Sequence, residues 1–244
     1  LHNKGIKVEA IIDIRDNSDS KIVKAVEDAG IKIHWSHTVV NTSGYKRLKN
    51  ISVMKLSNDG MSVTGNKVKI SCDCLGVSGG WTPAVHLFTQ SGGKLSFDEE
   101  NKVFLPNKYP SEQISIGSCN GDFKINEIIK NLSKDLKDFL KIEQTDFDNI
   151  SVDSYEEKSK RNIWLLPSDK PIGKTNPFVD YQNDATAKDI KLALREGFRS
   201  IEHVKRYTTT GMGTDQGKLG NMHALGIIAD TAGVKMGELG TTTF

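Results

Sequence analysis

The pattern that most narrows the fold is a strand–helix–strand unit at the start of the chain. Ile6–Ile14 (IKVEAIIDI) is rich in β-branched residues and reads as a strand buried on at least one face. Ser20 is placed to cap a helix over Lys21–Ala29, whose apolar face carries Ile22, Val23 and Val26, and Gly30 ends it. Ile31–His37 reads as the next strand. Two strands joined through a helix by short connections run parallel, so the chain belongs to the α/β class.

The pattern then changes. Lys49–Leu56, Met61–Thr64 and Lys67–Cys72 are short alternating runs separated by Asn58-Asp59-Gly60 and Gly65-Asn66, the turn chemistry of antiparallel hairpins. Cys74–Val77 and Gln113–Ile116 read as short strands, each running into a glycine turn: Ser78-Gly79-Gly80-Trp81-Thr82-Pro83 and Gly117-Ser118-Cys119-Asn120-Gly121. Ile125, Ile128, Ile129, Leu132, Leu136, Phe139 and Leu140 then fall at helical spacing. From Ile142 to Pro177 the chain is polar and reads as a linker or surface arm. Three helices follow: one from a Thr186/Asp189 capping box to Gly197, one capped by Ser200, and one over Leu219–Thr231 stopped by Gly233. The expected organisation is a dinucleotide-binding region over 1–141, a polar linker over 142–176 and a small helical domain over 177–244.

Composition bounds the function classes. The 244 residues carry 33 Lys+Arg against 31 Asp+Glu, a balance that offers no global field for nucleic acid or an anionic membrane. No apolar run approaches the ~18 residues of a membrane span. Three cysteines do not make a disulfide framework, so a reduced, cytoplasmic protein is expected. A chain that begins at Leu1 and ends in Thr-Thr-Thr-Phe is expected to be a piece of something longer.

Several residues are candidates for binding. Asp13 ends the first strand, where an acidic residue of a nucleotide-binding unit accepts hydrogen bonds from ribose hydroxyls; a solvated strand-end carboxylate is the plain alternative. Gly79 and Gly80 let backbone approach a ligand closely, or simply make a tight turn. Gly117 and Ser118, between a strand and a helix, can present N–H groups to a phosphate or ribitol. Cys72 and Cys74 alternate on one strand face without further soft ligands at a metal spacing, which favours buried structural thiols. His34, His37, His86 and His203 belong to no triad and read as structural, and Glu156-Glu157-Lys158 reads as a solvated face. The loop Tyr207–Gly217 is rich in threonine and glycine, and suits a phosphate, a partner subunit or its own hydrogen bonding.

Three stretches carry a family resemblance: CDCLGVSGGWTPAVHLFTQSGGKLSFD (Cys72–Asp98), FVDYQNDATAKDI (Phe178–Ile190) and EGFRSIEHVKRYTTTGMGTDQGK (Glu196–Lys218). They resemble the alpha subunits of heterotetrameric sarcosine oxidases, of which this chain matches an internal part. The resemblance implies an alpha subunit that binds NAD as a non-reacting ligand, with beta, gamma and delta partners. FAD and covalent FMN lie in the beta subunit, and tetrahydrofolate binds a C-terminal domain outside this chain. Sarcosine is oxidised to glycine with hydrogen peroxide and formaldehyde, or 5,10-methylenetetrahydrofolate. No catalytic residue is expected here.

Leu1–Ile142 resembles the latter part of the two-dinucleotide-domain, flavoprotein disulfide reductase-like fold. On that resemblance Asp13 lies on the second nucleotide domain, and the Gly79-Gly80 and Gly117-Ser118 turns return the chain to the first. Flavin enzymes of this type carry Gly-Asp where this chain has Gly117-Ser118. The helical segment resembles a small 2Fe-2S-binding domain, but Asp180, Gln182, Asp215 and Gly220 stand at its cysteine positions, so no cluster is expected. The alternatives are a subunit of a related amino-acid dehydrogenase and a non-catalytic assembly module.

Overall fold

A computed structural model describes residues 1–110, 112–147, 149–150, 152 and 162–240. In chain order its elements are β1 Ile11–Asp13, α1 Lys21–Asp28, β2 Ile33–Trp35, β3 His37–Gly44, β4 Leu48–Leu56, β5 Val63–Ser71, α2 His86–Gln90, β6 Lys94–Asp98, β7 Val103–Lys108 and α3 Ile125–Leu140. They continue with β8 Phe178–Asp180, β9 Ala185–Thr186, α4 Ala187–Arg195, α5 Ile201–Thr208, α6 Asn221–Ala232 and α7 Met236–Leu239. The elements divide between two compact units, residues 1–78 with 156–189 and residues 79–155 with 190–244.

In the first unit the expected parallel pair forms. Ile11, Ile12 and Asp13 of β1 register with Ile33, His34 and Trp35 of β2. Helix α1 joins them: the Ser20 hydroxyl accepts the Val23 N–H at 3.3 Å, and Gly30 takes a φ of +70° just beyond the C-terminus. Both strands are shorter than the sequence suggests. Ile6 is exposed and precedes the paired stretch. The run Ile31–His37 is cut at Ser36, which sits at φ +53° and donates its N–H to the Arg15 carbonyl at 2.7 Å. Ser36 therefore redirects the chain from β2 into β3.

Strands β3, β4 and β5 form an antiparallel sheet with β4 in the middle. Ile51 and Val53 are buried on one face of β4, and Met54 and Leu56 on the other, as a central strand requires. The Asn58-Asp59-Gly60 turn forms as expected: Asp59 accepts the Ser57 hydroxyl and the Met61 N–H, at 2.5 and 2.9 Å. The second turn, expected at Gly65-Asn66, does not form. Register passes from Val53↔Val68 to Lys55↔Thr64, so β5 spends four residues where β4 spends two. Gly65 at φ +75° absorbs the excess as a bulge inside one continuous strand. Because β5 ends at Ser71, the strand expected over Cys74–Val77 is absent and Cys74 is exposed, not a buried thiol; Cys72 is half-buried. From the expected linker, Asp169 pairs with Lys67 of β5 at 2.5 Å, which holds its carboxyl below the usual range. Glu156-Glu157-Lys158 lies outside the described residues.

The second unit holds an element pair that the sequence patterns did not reveal, the hairpin β6–β7, in which Phe97 faces Phe104 with ring centroids 5.0 Å apart. Short helix α2 precedes it. Gln113–Ile116, expected as a strand, is irregular and leads into a single 3-10 turn over Gly117–Asn120. Helix α3 follows as expected, and α5 and α6 lie close to their expected bounds. The core of this unit is Phe88, Val103, Phe104, Ile190, Ala193, Val204, Leu225, Ile227 and Ile228, all 7% exposed or less.

One glycine here is set by contact. A Cβ on Gly93 would fall 2.4–2.7 Å from three carbons of the buried Phe88 ring, itself edge-on to Tyr109. Gly93→Ala must displace that ring and is expected to lower stability by about 1–3 kcal/mol. Hydrogen exchange at the β6 and β7 amides of the variant checks this, and unchanged exchange would show that the ring moves freely.

Candidate functional site

Asp13 stands at the end of β1, and its carboxylate is engaged. Both oxygens accept from Arg15: Oδ1 from the backbone N–H at 2.9 Å and from Nε at 3.0 Å, Oδ2 from Nη2 at 2.7 Å. A ribose hydroxyl would have to share or displace this bidentate pair. Asp13 lies in the first unit, and the other four predicted residues in the second.

Gly79 and Gly80 lie at the start of the second unit. A Cβ on Gly79 would come 3.9 Å from Nε2 of His223, so this turn lies by the first turn of α6. Gly80 has φ +120° and open space where a side chain would be, so its backbone can be approached closely. Gly117 and Ser118 form a separate turn. Gly117 is buried at φ +76° with Ile128 of α3 nearby, Ser118 is exposed, and a Cβ on Gly121 would strike Leu105 of β7 at 2.6 Å. The next residue, Asp122, is one that sequence reasoning passed over. Its Oδ2 is buried with no hydrogen-bond partner among the described residues. An orphaned carboxylate oxygen is an acceptor awaiting a donor, such as a sugar hydroxyl. Its signal was Gly121-Asp122, four residues beyond the glycine where the acid was sought.

A second feature gathers the most distinctive sequence stretches. A cavity of about 90 Å³ in the second unit is lined by Thr82, Pro83 and His86 from one stretch and by Thr210, Gly217 and Lys218 from another. Its apolar walls come from β6, β7, α5 and α6, through Leu95, Phe104, Val204, Leu225 and Ile228. The threonine–glycine loop keeps its shape by its own bonds. The Thr208 and Thr210 hydroxyls meet at 2.8 Å, Thr208 donates to the Val204 carbonyl at 2.8 Å, and Asp215 accepts the Gly217 N–H at 3.2 Å. Asn221 sits against both Gly211 and Gly217, where any Cβ would come within 2.2 Å of its amide. His86, expected to be structural, is on the cavity wall; burial first, then the nearby Lys218 charge, lowers its pKa.

The positions expected to match cluster cysteines make their own local bonds. Asp180 is buried, and its Oδ1 accepts the N–H groups of Gln182 and Asn183 at 2.9 and 3.0 Å. Asp215 likewise caps its own turn, and its Oδ2 accepts the Leu219 N–H at 3.4 Å. Among the described residues no three His, Cys, Asp or Glu side chains are grouped to hold a metal ion, and no helix is long and apolar enough to cross a membrane.

Comparison with known proteins bears on the same stretches. Residues 174–244 match the family model of the Sarcosine oxidase A3 domain. Over its whole length the chain is 32% identical to the sarcosine oxidase subunit alpha of Rhizobium meliloti (strain 1021), covering 100% of this chain and 23% of that protein. This chain matches an internal stretch of sarcosine oxidase alpha subunits. The alpha subunits of Corynebacterium sp. strains P-1 and U-96 are 32% and 31% identical, and each match covers 97% of this chain and 25% of the relative. The chain thus spans about a quarter of the length of the sarcosine oxidase alpha subunits it matches. Among solved structures, L-proline dehydrogenase from P. horikoshii superposes with a TM-score of 0.61 at 18% identity, covering 96% of this chain and 47% of that one. That likeness gives the fold: an α/β arrangement shared with part of a dehydrogenase.

Proposed function

We propose that this chain is the part of a sarcosine oxidase alpha subunit that binds NAD and contributes to the subunit interface. The observation that carries the reading is identity of 31–32% to three such subunits, sustained over 97–100% of the chain. In this reading the complex oxidises sarcosine to glycine, releasing hydrogen peroxide with formaldehyde or 5,10-methylenetetrahydrofolate. FAD and FMN belong to the beta subunit, gamma and delta chains complete the assembly in the cytoplasm, and tetrahydrofolate binds elsewhere in the alpha subunit.

NAD fits the residues of the second unit better than Asp13. Gly80 offers open backbone, Gly117 and Ser118 begin a turn with exposed surface, and Asp122 has a free acceptor for a ribose hydroxyl. At Asp13 the acceptors are already taken by Arg15. Bound there, NAD would be held and oriented; no acid, base or nucleophile is assigned to this chain. Residues 1–141 form the partial two-dinucleotide-domain region, 142–176 the linker, and 177–244 a helical domain of the 2Fe-2S type without its cluster. Carboxylates at Asp180 and Asp215 fasten the loops that thiolates would otherwise tie to iron.

The test is made on the full-length alpha subunit co-expressed with its partner chains. Denaturation is expected to release NAD, and sarcosine is expected to elicit peroxide. Release of FAD from the alpha chain would favour the amino-acid dehydrogenase, and an empty chain the assembly module. No peroxide with sarcosine removes the assignment, and stoichiometric iron with acid-labile sulfide removes the cluster-less domain.

A further inference from the structure

The cavity between the Thr82–His86 stretch and the threonine–glycine loop has a chemistry that NAD binding leaves unused. We infer that it is a binding site for a short-chain aliphatic monocarboxylate, with the tail among Val204, Leu225 and Ile228 and the acid group at Lys218, Lys205 and His86. The inference is independent of the sarcosine reading.

Three observations support it. The first is charge. Lys205 and Lys218 line the cavity, and no aspartate or glutamate does. Neither lysine has an ion-pair partner among the described residues; the carboxylate nearest on α5, Glu202, pairs with Arg206. Lysine ammonium groups beside an apolar wall offer a carboxylate charge-assisted hydrogen bonds while the wall takes its apolar tail. The second is size. An apolar cavity of 150 Å³ takes benzene, so about 90 Å³ suits an apolar tail of roughly three or four carbons. A nucleotide is far too large. The third is shape retention. The Thr208–Thr210 hydroxyl pair and Asn221, wedged between Gly211 and Gly217, hold the wall with bonds internal to it, so the space does not close for want of a ligand. An apolar pocket with a few polar groups on its wall, one of them a histidine whose titration burial and the nearby Lys218 perturb, is where ligands ordinarily bind.

The probe is butyrate, measured by equilibrium dialysis and calorimetry against the full-length alpha subunit in its complex. Butyrate is expected to bind saturably, with butyramide at least about tenfold weaker because the charge-assisted bonds are lost. Lys218→Gln is expected to weaken butyrate about tenfold or more while leaving sarcosine-dependent peroxide formation unchanged. Ala224→Phe, which fills the cavity from α6, should abolish binding. Where that variant fails to fold, Lys205→Gln combined with Lys218→Gln decides the matter, since both side chains reach solvent. Absence of saturable butyrate binding, equal affinity for butyramide, or unaltered affinity in the double lysine variant each overturns the inference. Loss of peroxide with sarcosine would instead strike the functional reading and leave this one standing.

Discussion

Ile227→Ala is expected to lower the local stability of α6 by about 2–5 kcal/mol. Ile227 is 2% exposed, on a helix whose residues from Ala224 to Ala229 are all buried, and it does not line the cavity. Truncation removes about three methyl or methylene groups from close-packed surroundings and leaves a void that neighbouring side chains fill only in part. In a long multidomain chain a single melting temperature is a poor gauge, so the measurement is hydrogen exchange at the α6 amides of the full-length subunit. A loss of 2–5 kcal/mol appears as at least about thirtyfold faster exchange where reclosing is fast compared with exchange. Leu219→Ala, at a side chain 66% exposed just before the helix, is the comparison and should change exchange little. Equal exchange in both variants would mean that α6 is not anchored by its buried face.

Gly217→Val is the second large effect, expected at about 2–4 kcal/mol. Gly217 holds φ +73°, a conformation that β-branched residues almost never adopt. Its Cβ would also lie 2.2 Å from both terminal atoms of the Asn221 amide. Asn221 also lies against Gly211, which limits how far its amide can swing aside. The two contributions separate in a double-mutant cycle. Adding Asn221→Ala should recover the part due to the clash and leave the backbone strain. Full additivity of the two substitutions would show that loop and side chain are not coupled.

Much of the fold could be read from residues. The β1–α1–β2 unit announced itself through β-branched runs, the Ser20 cap and Gly30, and α3 through its helical period, because these signals are local. The errors share a cause. Gly65-Asn66 looked like a turn because glycine with positive φ serves a bulge as well as a hairpin, and only the pairing of β5 with β4 decides between them. Ser36 gives no sign in sequence that it will take φ +53° and split one apolar run into two strands with different partners. Hairpin β6–β7 was hidden because its turn, Glu99 to Lys102, is charged and lacks glycine; Asp98 makes it by accepting the Glu100 and Asn101 N–H groups at 2.9 and 3.1 Å.

The candidate site was legible in part. The glycines of both turns and Asp13 were visible as residue types, but that Arg15 would fold onto Asp13 was not. Nor was it visible that His86 and Lys218, more than a hundred positions apart, would share one wall. Such proximity depends on long-range packing, which no local pattern encodes.

The bulged strand β5 has a consequence for how the protein behaves in a crowded solution. It flanks its sheet, and an unbroken flanking strand presents a row of donors and acceptors to any passing extended segment. Gly65 interrupts that row, Lys67 and Lys69 space it with charge, and the Asp169 carboxylate lies against Lys67. The irregularity that spoils the hairpin pattern thereby makes this border a poor template for intermolecular β-pairing.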